Sequence, residues 1–177
     1  MRILAIDPGN TESGYALINN VTYKPIAFGK KENYTLREMI RGGQFNNVDT
    51  VVIEMVKSYG MPVGATVFET CVWIGRFLEL LGGNTVGPDV NLVYRGDVKL
   101  HHCHTTKAKD SNVIQALIDR FASGVPNRGK GTKTAPGWFH GFKADIWQAY
   151  ALAVMTADQH NLTADVRSGS YAREVAS

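Results

Sequence analysis

The stretch Ile3-Leu4-Ala5-Ile6-Asp7-Pro8-Gly9-Asn10-Thr11-Glu12-Ser13-Gly14-Tyr15-Ala16-Leu17-Ile18 sets the architecture of this chain. Ile3 to Ile6 is a short apolar run stopped by Asp-Pro-Gly, and an apolar pattern resumes from Gly14 to Ile18 after a polar turn, which reads as a hairpin. A third strand is predicted over Thr22 to Phe28, with Pro25 marking it as an edge or bulged strand because proline has no N–H for the ladder. Three antiparallel strands therefore open the fold.

Outward from this hairpin, Tyr34 to Asn46 has the pattern of a short amphipathic helix. Thr50-Val51-Val52-Ile53 is a continuous apolar run of the kind buried on both faces, a central strand that ends at Glu54. Val67, Cys71, Ile74, Leu78 and Leu81 recur at spacings of three and four, so a helix is predicted over Val63 to Leu81 and stopped by Gly82-Gly83. Val90 to Tyr94 reads as a strand. Asp97 is placed to cap a helical turn from Val98, and Asp110 or Ser111 to cap the helix carrying Val113, Ala116, Leu117, Arg120 and Phe121. Ser123 to Gly141, rich in Gly and without apolar periodicity, is expected to be a long mobile loop. Asp145 to Thr156 is an Ala-rich apolar helix, and residues 161–177 form a polar, flexible tail after a domain spanning 1–160. This order of elements is an α/β layer architecture.

Composition narrows the function classes. The 177 residues are 44% hydrophobic and 20% charged, the mix of a globular chain that forms its own core. Two cysteines make no disulfide framework. No signal-peptide pattern precedes the first strand and no apolar run approaches the roughly 20 residues that span a bilayer, so a cytoplasmic location is expected. A net charge of +3, from 19 Lys+Arg against 16 Asp+Glu, suits an anionic partner. Much of the positive charge falls in two stretches, Lys99, Lys107 and Lys109 in one and Arg128, Lys130, Lys133 and Lys143 in the other.

The acids are placed unusually. Asp7 ends the first strand, Glu54 ends the central strand and Asp145 opens the last helix; if the first and fourth strands are neighbours, Asp7 and Glu54 converge. Asp-Pro-Gly by itself is a turn signal. In company with two acids that are hard to explain as core residues, it points to a metal site. Carboxylates crowded together repel unless a cation is present, and Mg²⁺ or Mn²⁺ prefers oxygen ligands shared with substrate phosphates. One or two such ions can bracket a phosphodiester.

On these residues the chain resembles a known family. Ile3 to Ala16 is similar to the opening of the RuvC-like Holliday junction resolvases, Val52-Ile53-Glu54 to their second acidic motif, and Lys143-Ala144-Asp145 with Ala149-Tyr150-Ala151-Leu152-Ala153 to their closing motif. Val98-Lys99, Lys107-Ala108-Lys109-Asp110 and Val113 resemble the stretch before the third helix, so the match spans about residues 1 to 157. Ser58-Tyr59-Gly60-Met61-Pro62-Val63-Gly64, Phe68-Glu69-Thr70 and Trp73-Ile74-Gly75-Arg76-Phe77 look more like phage-encoded members, whose location would be the bacterial host cytoplasm. The resemblance implies a ribonuclease H-like mixed five-stranded sheet, three antiparallel strands then parallel ones, flanked by helices. It also implies a homodimer that binds four-way DNA junctions, with Asp7, Glu54 and Asp145 catalytic and metal-holding. The family's closing motif offers two metal-binding residues three apart, and here the second is Gln148, a neutral amide. A one-metal site, a weak second site and a silent DNA-binding relative all stay open, as does Asp110 as the source of the missing charge.

Lys99, Lys107, Lys109, Arg128, Lys130, Lys133 and Lys143 are candidate phosphate contacts, and Tyr59 a candidate for stacking on bases at a branch point. Phe68, Trp73 and Phe77 suit core or dimer face alike. His101-His102-Cys103-His104 invites zinc, but adjacent residues do not all reach one ion. Its plainer reading is a polar helical turn beside the DNA path. Asp-x-Gly-x-Thr also resembles the phosphate loop of actin-like and sugar kinases, which need a second lobe of similar size.

Overall fold

The computed structural model describes residues 1–58, 60, 62–82 and 87–174. β1 (Arg2–Asp7), β2 (Glu12–Asn19) and β3 (Pro25–Glu32) pair antiparallel, and β4 (Thr50–Met55) and β5 (Asp89–Tyr94) continue the sheet in parallel from β1. The order is β3-β2-β1-β4-β5. This is the mixed five-stranded sheet that the family resemblance implies.

Strand alternation sorts the apolar side chains onto two faces. Leu4, Ile6, Tyr15, Leu17, Val51 and Ile53 pack under α1 (Asn33–Arg41) and α2 (Ala65–Gly82). Ile3, Ala5, Ala16, Ile18 and Val52 pack under α3 (Arg95–Cys103), α4 (Asp110–Phe121) and α5 (Ala144–Glu174). The same alternation carries Asp7, after Ile3 and Ala5, and Glu54, after Val52, to the α5 face. From Ile146 to Ala157 every residue of α5 is buried. A helix apolar on all sides belongs in a core, and small residues such as Ala149 and Ala153, four apart on one face, let its backbone pack close to its neighbours.

Several local expectations are corrected. β3 starts at Pro25, since the Asn19 Oδ1 accepts the Val21 and Thr22 N–H groups and Tyr23 is left-handed (φ 58°), so residues 19–24 form a turn. α1 stops at Arg41, before Gly42 and a left-handed Gly43 (φ 81°). Trp73 and Phe77 are core residues, whereas Phe68 is 61% exposed. Neither predicted cap forms: Asp97 lies within the first turn of α3, and α4 is capped when the Asn112 Oδ1 accepts the Lys109 N–H at 2.9 Å.

The Gly-rich loop is tied rather than loose. Gly131 and Pro136 form a bridge, the Phe139 N–H donates to the Gly129 carbonyl at 3.0 Å, and Phe139 and Phe142 are fully buried against Trp147 and Tyr150. Aromatic anchors, which carry no periodic signal in a loop, hold it down. α5 continues through residues 161–174 of the expected tail, and Asn161 on it donates to the Asn20 carbonyl at 3.1 Å.

Candidate active site

Asp7 stands at the tip of β1 and Glu54 near the tip of β4. The parallel register, with Ile6 opposite Ile53, places them side by side. The turn after Asp7 is clamped: the Ser13 hydroxyl donates to the Asn33 Oδ1 at 2.6 Å, and the Asn33 Nδ2 donates to the Gly9 carbonyl at 2.9 Å. Buried Asn33 thus ties the hairpin turn to the start of α1.

Asp145 arrives from the first turn of α5, and a glycine lets it. A Cβ on Gly14, the residue paired with Asp7 across the β1–β2 ladder, would lie 2.6 Å from the Asp145 carbonyl oxygen. The missing side chain is the space that the helix start occupies. Lys30 of β3 holds the Asp145 carboxylate at 2.9 Å and Glu12 at 3.1 Å.

A fourth acid and an arginine complete the floor, and neither was assigned there from sequence except as a possible substitute charge at Asp110. Arg95, the first residue of α3, donates from Nη1 to Glu54 Oε2 at 2.9 Å and pairs through Nη2 with Asp110 Oδ2 at 2.9 Å. Lys99, one turn on, reaches the other Asp110 oxygen at 3.3 Å. Asp110 is thus an ion-pair partner and not the helix cap. A basic residue at a helix start has no periodic or motif signal, so only the approach of α4 to α3 reveals its task.

The electrostatics follow from this packing. Burial pushes the Asp7 carboxyl well above the ordinary range, Glu54 beside it pushes further, and Arg95 pulls back. Burial also raises Glu54, against the pull of Arg95. At Asp110 burial acts upward, but Arg95 and Lys99 together outweigh it and hold the carboxyl low.

These groups line one open cleft of about 610 Å³. Its floor carries Asp7, Glu54, Asp110, Asp145 and Gln148, and its rim carries Arg128, Lys130 and Lys143. Two oxygen donors on the floor lack partners. The Asp7 carboxylate accepts no hydrogen bond and makes no ion pair among the described residues. Gln148, 9% exposed, has a buried Oε1 with no hydrogen-bond partner. A buried acceptor is normally satisfied, so an oxygen-seeking cation fits this donor set. Among the described residues, however, no three His, Cys, Asp or Glu side chains stand close enough to share one ion. Glu54 and Asp145 lean instead toward Arg95 and Lys30.

No protein-family model matches the chain, and no curated protein does. Solved structures do. The Thermus thermophilus RuvC structure superposes with a TM-score of 0.66 at 15% identity, over 92% of this chain and 97% of that one. T. thermophilus RuvC in complex with Holliday junction substrate gives the same TM-score and identity, over 92% and 96%. The chain has the RuvC fold.

On this RuvC fold the remaining predicted residues divide. Arg128, Lys130 and Lys143 face the cleft, while Lys133, Lys107 and Lys109 are exposed outside its lining. Lys99 is engaged by Asp110. Tyr59 lies outside the described residues. In the His101–His104 turn, His101 Nε2 is 2.7 Å from Asp158 and His102 Nε2 is 2.9 Å from the Ala151 carbonyl, so both rings fasten α3 to α5. The sugar-kinase reading finds no second lobe among the described residues, which form a single sheet. No described helix is long and apolar enough to cross a membrane.

Proposed function

We propose that this chain is a divalent-metal-dependent endonuclease that cuts the phosphodiester backbone of branched DNA, with the four-way junction as its substrate. One observation carries the reading: on a RuvC fold, a floor of carboxylates beside the unpartnered buried Gln148 Oε1 shares a single cleft with a basic rim. Phosphate next to bare carboxylates is repelled, so the two halves of this cleft make sense together only around a cation.

Asp7, Glu54, Asp145 and the Gln148 Oε1 are the residues that would hold Mg²⁺ or Mn²⁺. When bound, the ion supplies Lewis-acid activation of water and neutralises charge on the phosphoryl oxygens. The chain's own residues do the positioning. Asn33 and Ser13 fix the turn behind Asp7, Gly14 admits the start of α5, and Arg128, Lys130 and Lys143 hold the DNA backbone by charge. Hydrolysis joins the water oxygen to phosphorus and breaks one backbone P–O bond, the water's protons leaving to a base and to the departing oxygen.

Two copies acting on one junction belong to the same proposal. Phe68 and Val72, 61% and 53% exposed and four residues apart on α2, offer apolar surface for a second chain. So does a phage source, with the host cytoplasm as its location, supported by the residue 58–77 resemblance.

The test is a synthetic four-way junction mixed with the protein and Mg²⁺ or Mn²⁺. Paired nicks that vanish in Asp7→Asn support the reading. Junction binding without nicking in the unaltered chain would favour the silent DNA-binding alternative, which Gln148 motivates.

A further inference from the structure

Among the described residues Arg95 is the one guanidinium on the floor of the cleft, and its surroundings are unusual for a metal centre. It is 23% exposed by side chain, lies between two carboxylates, and bonds to each at 2.9 Å. A divalent ion bridging two acids performs the same neutralisation. Arginine, unlike lysine, has a planar fork with five N–H donors, so these two bonds leave donors over, and no other acceptor engages them among the described residues.

Charge counting points the same way. Asp7, Glu54 and Asp145 contribute three negative charges, and Arg95 cancels one, leaving the charge that a single divalent ion balances. Asp110 is matched by Lys99 at 3.3 Å, and Lys30 is matched by Glu12 at 3.1 Å as well as by Asp145. Gln148 adds an oxygen but no charge. A second ion drawn to Glu54 and Asp110 would meet the guanidinium at close range, and like charges in a partly buried site repel strongly.

We infer that Arg95 is the fixed second cation of this centre: held by Glu54 and Asp110, it contacts the scissile phosphate, and the site takes a single divalent ion, to which Asp7 and the Gln148 Oε1 offer the unpartnered oxygens. This rests on the nuclease reading. Arg95 is then a catalytic residue, and Asp110 a positioning residue that aims it.

The experiment counts Mn²⁺ bound to the full chain by electron paramagnetic resonance, beside nicking of a four-way junction. The unaltered chain binds one ion, and nicking saturates with a first-order dependence on metal. Arg95→Gln admits a second ion and nicks about 100-fold more slowly. Arg95→Lys, which keeps charge without the fork, stays at one ion and recovers part of the rate. Asp110→Asn leaves the ion count unchanged and lowers the rate by about tenfold, consistent with a loosened donor. Should Arg95→Gln not fold, the Lys and Asp110 variants decide. Two ions in the unaltered chain, or full nicking by Arg95→Gln, overturns the inference. If one ion binds and Asp7→Asn removes it, yet no branched DNA is ever cut, the nuclease reading fails while the ion count and its change in Arg95→Gln still judge the charge assignment.

Discussion

A carboxylate with no partner on the floor of a cleft lowers the stability of the fold that carries it. Asp7 is in that position, with burial and Glu54 both opposing its charge. Asp7→Asn is therefore expected to raise the melting temperature of the metal-free protein by about 3 °C, the size of roughly 1 kcal/mol in a domain of this length. It is also expected to abolish any stabilisation by Mn²⁺; calorimetric melts with and without the ion check both. Glu54→Gln and Asp145→Asn should stop cutting while leaving junction affinity within about twofold, because removing acids beside phosphate does not weaken attraction. Gel shift and nicking assays separate the two effects, and retained nicking removes that acid from the site. At this scale Asp7, Glu54 and Asp145 were legible because an acid at the end of an otherwise apolar strand or helix is hard to explain as a core residue. Arg95 was not, since its partners are 41 residues before it and 15 after.

Among the elements, α5 and the Gly-rich loop bring the remaining groups to the cleft. Gly14→Ala would put a methyl 2.6 Å from the Asp145 carbonyl and 3.0 Å from its Cβ, so the helix start has to shift. We expect a loss of about 2 kcal/mol by denaturant unfolding and weaker Mn²⁺ binding, since overpacking against a rigid backbone has no soft neighbour to yield. Unchanged Mn²⁺ affinity would show that the helix start does not set the site. On the cleft rim, replacing Arg128, Lys130 and Lys143 by Gln should weaken junction binding and flatten its salt dependence, by about 0.9 in log–log slope for each DNA phosphate no longer neutralised. Lys133→Gln, outside the cleft lining, serves as the comparison. The loop's shape was hidden because left-handed Asn127, Arg128 and Gly129 and the buried Phe139 leave no repeating pattern.

Across the whole molecule, the end of the α5 face remote from the cleft is closed by Asp158. It accepts two hydrogen bonds from Arg120 at 2.7 and 2.8 Å and one from the Tyr23 hydroxyl at 2.7 Å, with His101 Nε2 also 2.7 Å away. These contacts join α3, α4, α5 and the β2–β3 turn, and they hold its carboxyl far below the ordinary range against the effect of burial. Asp158→Asn should cost about 2 kcal/mol in denaturant unfolding without moving the cleft's metal affinity. His102, pushed by burial from 6.5 to about 4, stays neutral in the fold while the unfolded chain takes up a proton. Its contribution is therefore complete above pH 6.5 and is lost as pH falls toward about 4, by at most ~1.4 kcal/mol per pH unit. Melts from pH 7 to 5 should show the decline, and His102→Gln, which keeps a donor for Ala151, should flatten it. The sequence by itself determined the strand order along the chain, the burial of the central strand on both faces and the three acids at element ends, because apolar runs and turn chemistry are local. Only the tertiary structure decided which cations stand against those acids, that Gln148 keeps a bare oxygen and that His101 and His102 fasten α3 to α5, because these depend on helices packing side by side that are far apart in the chain.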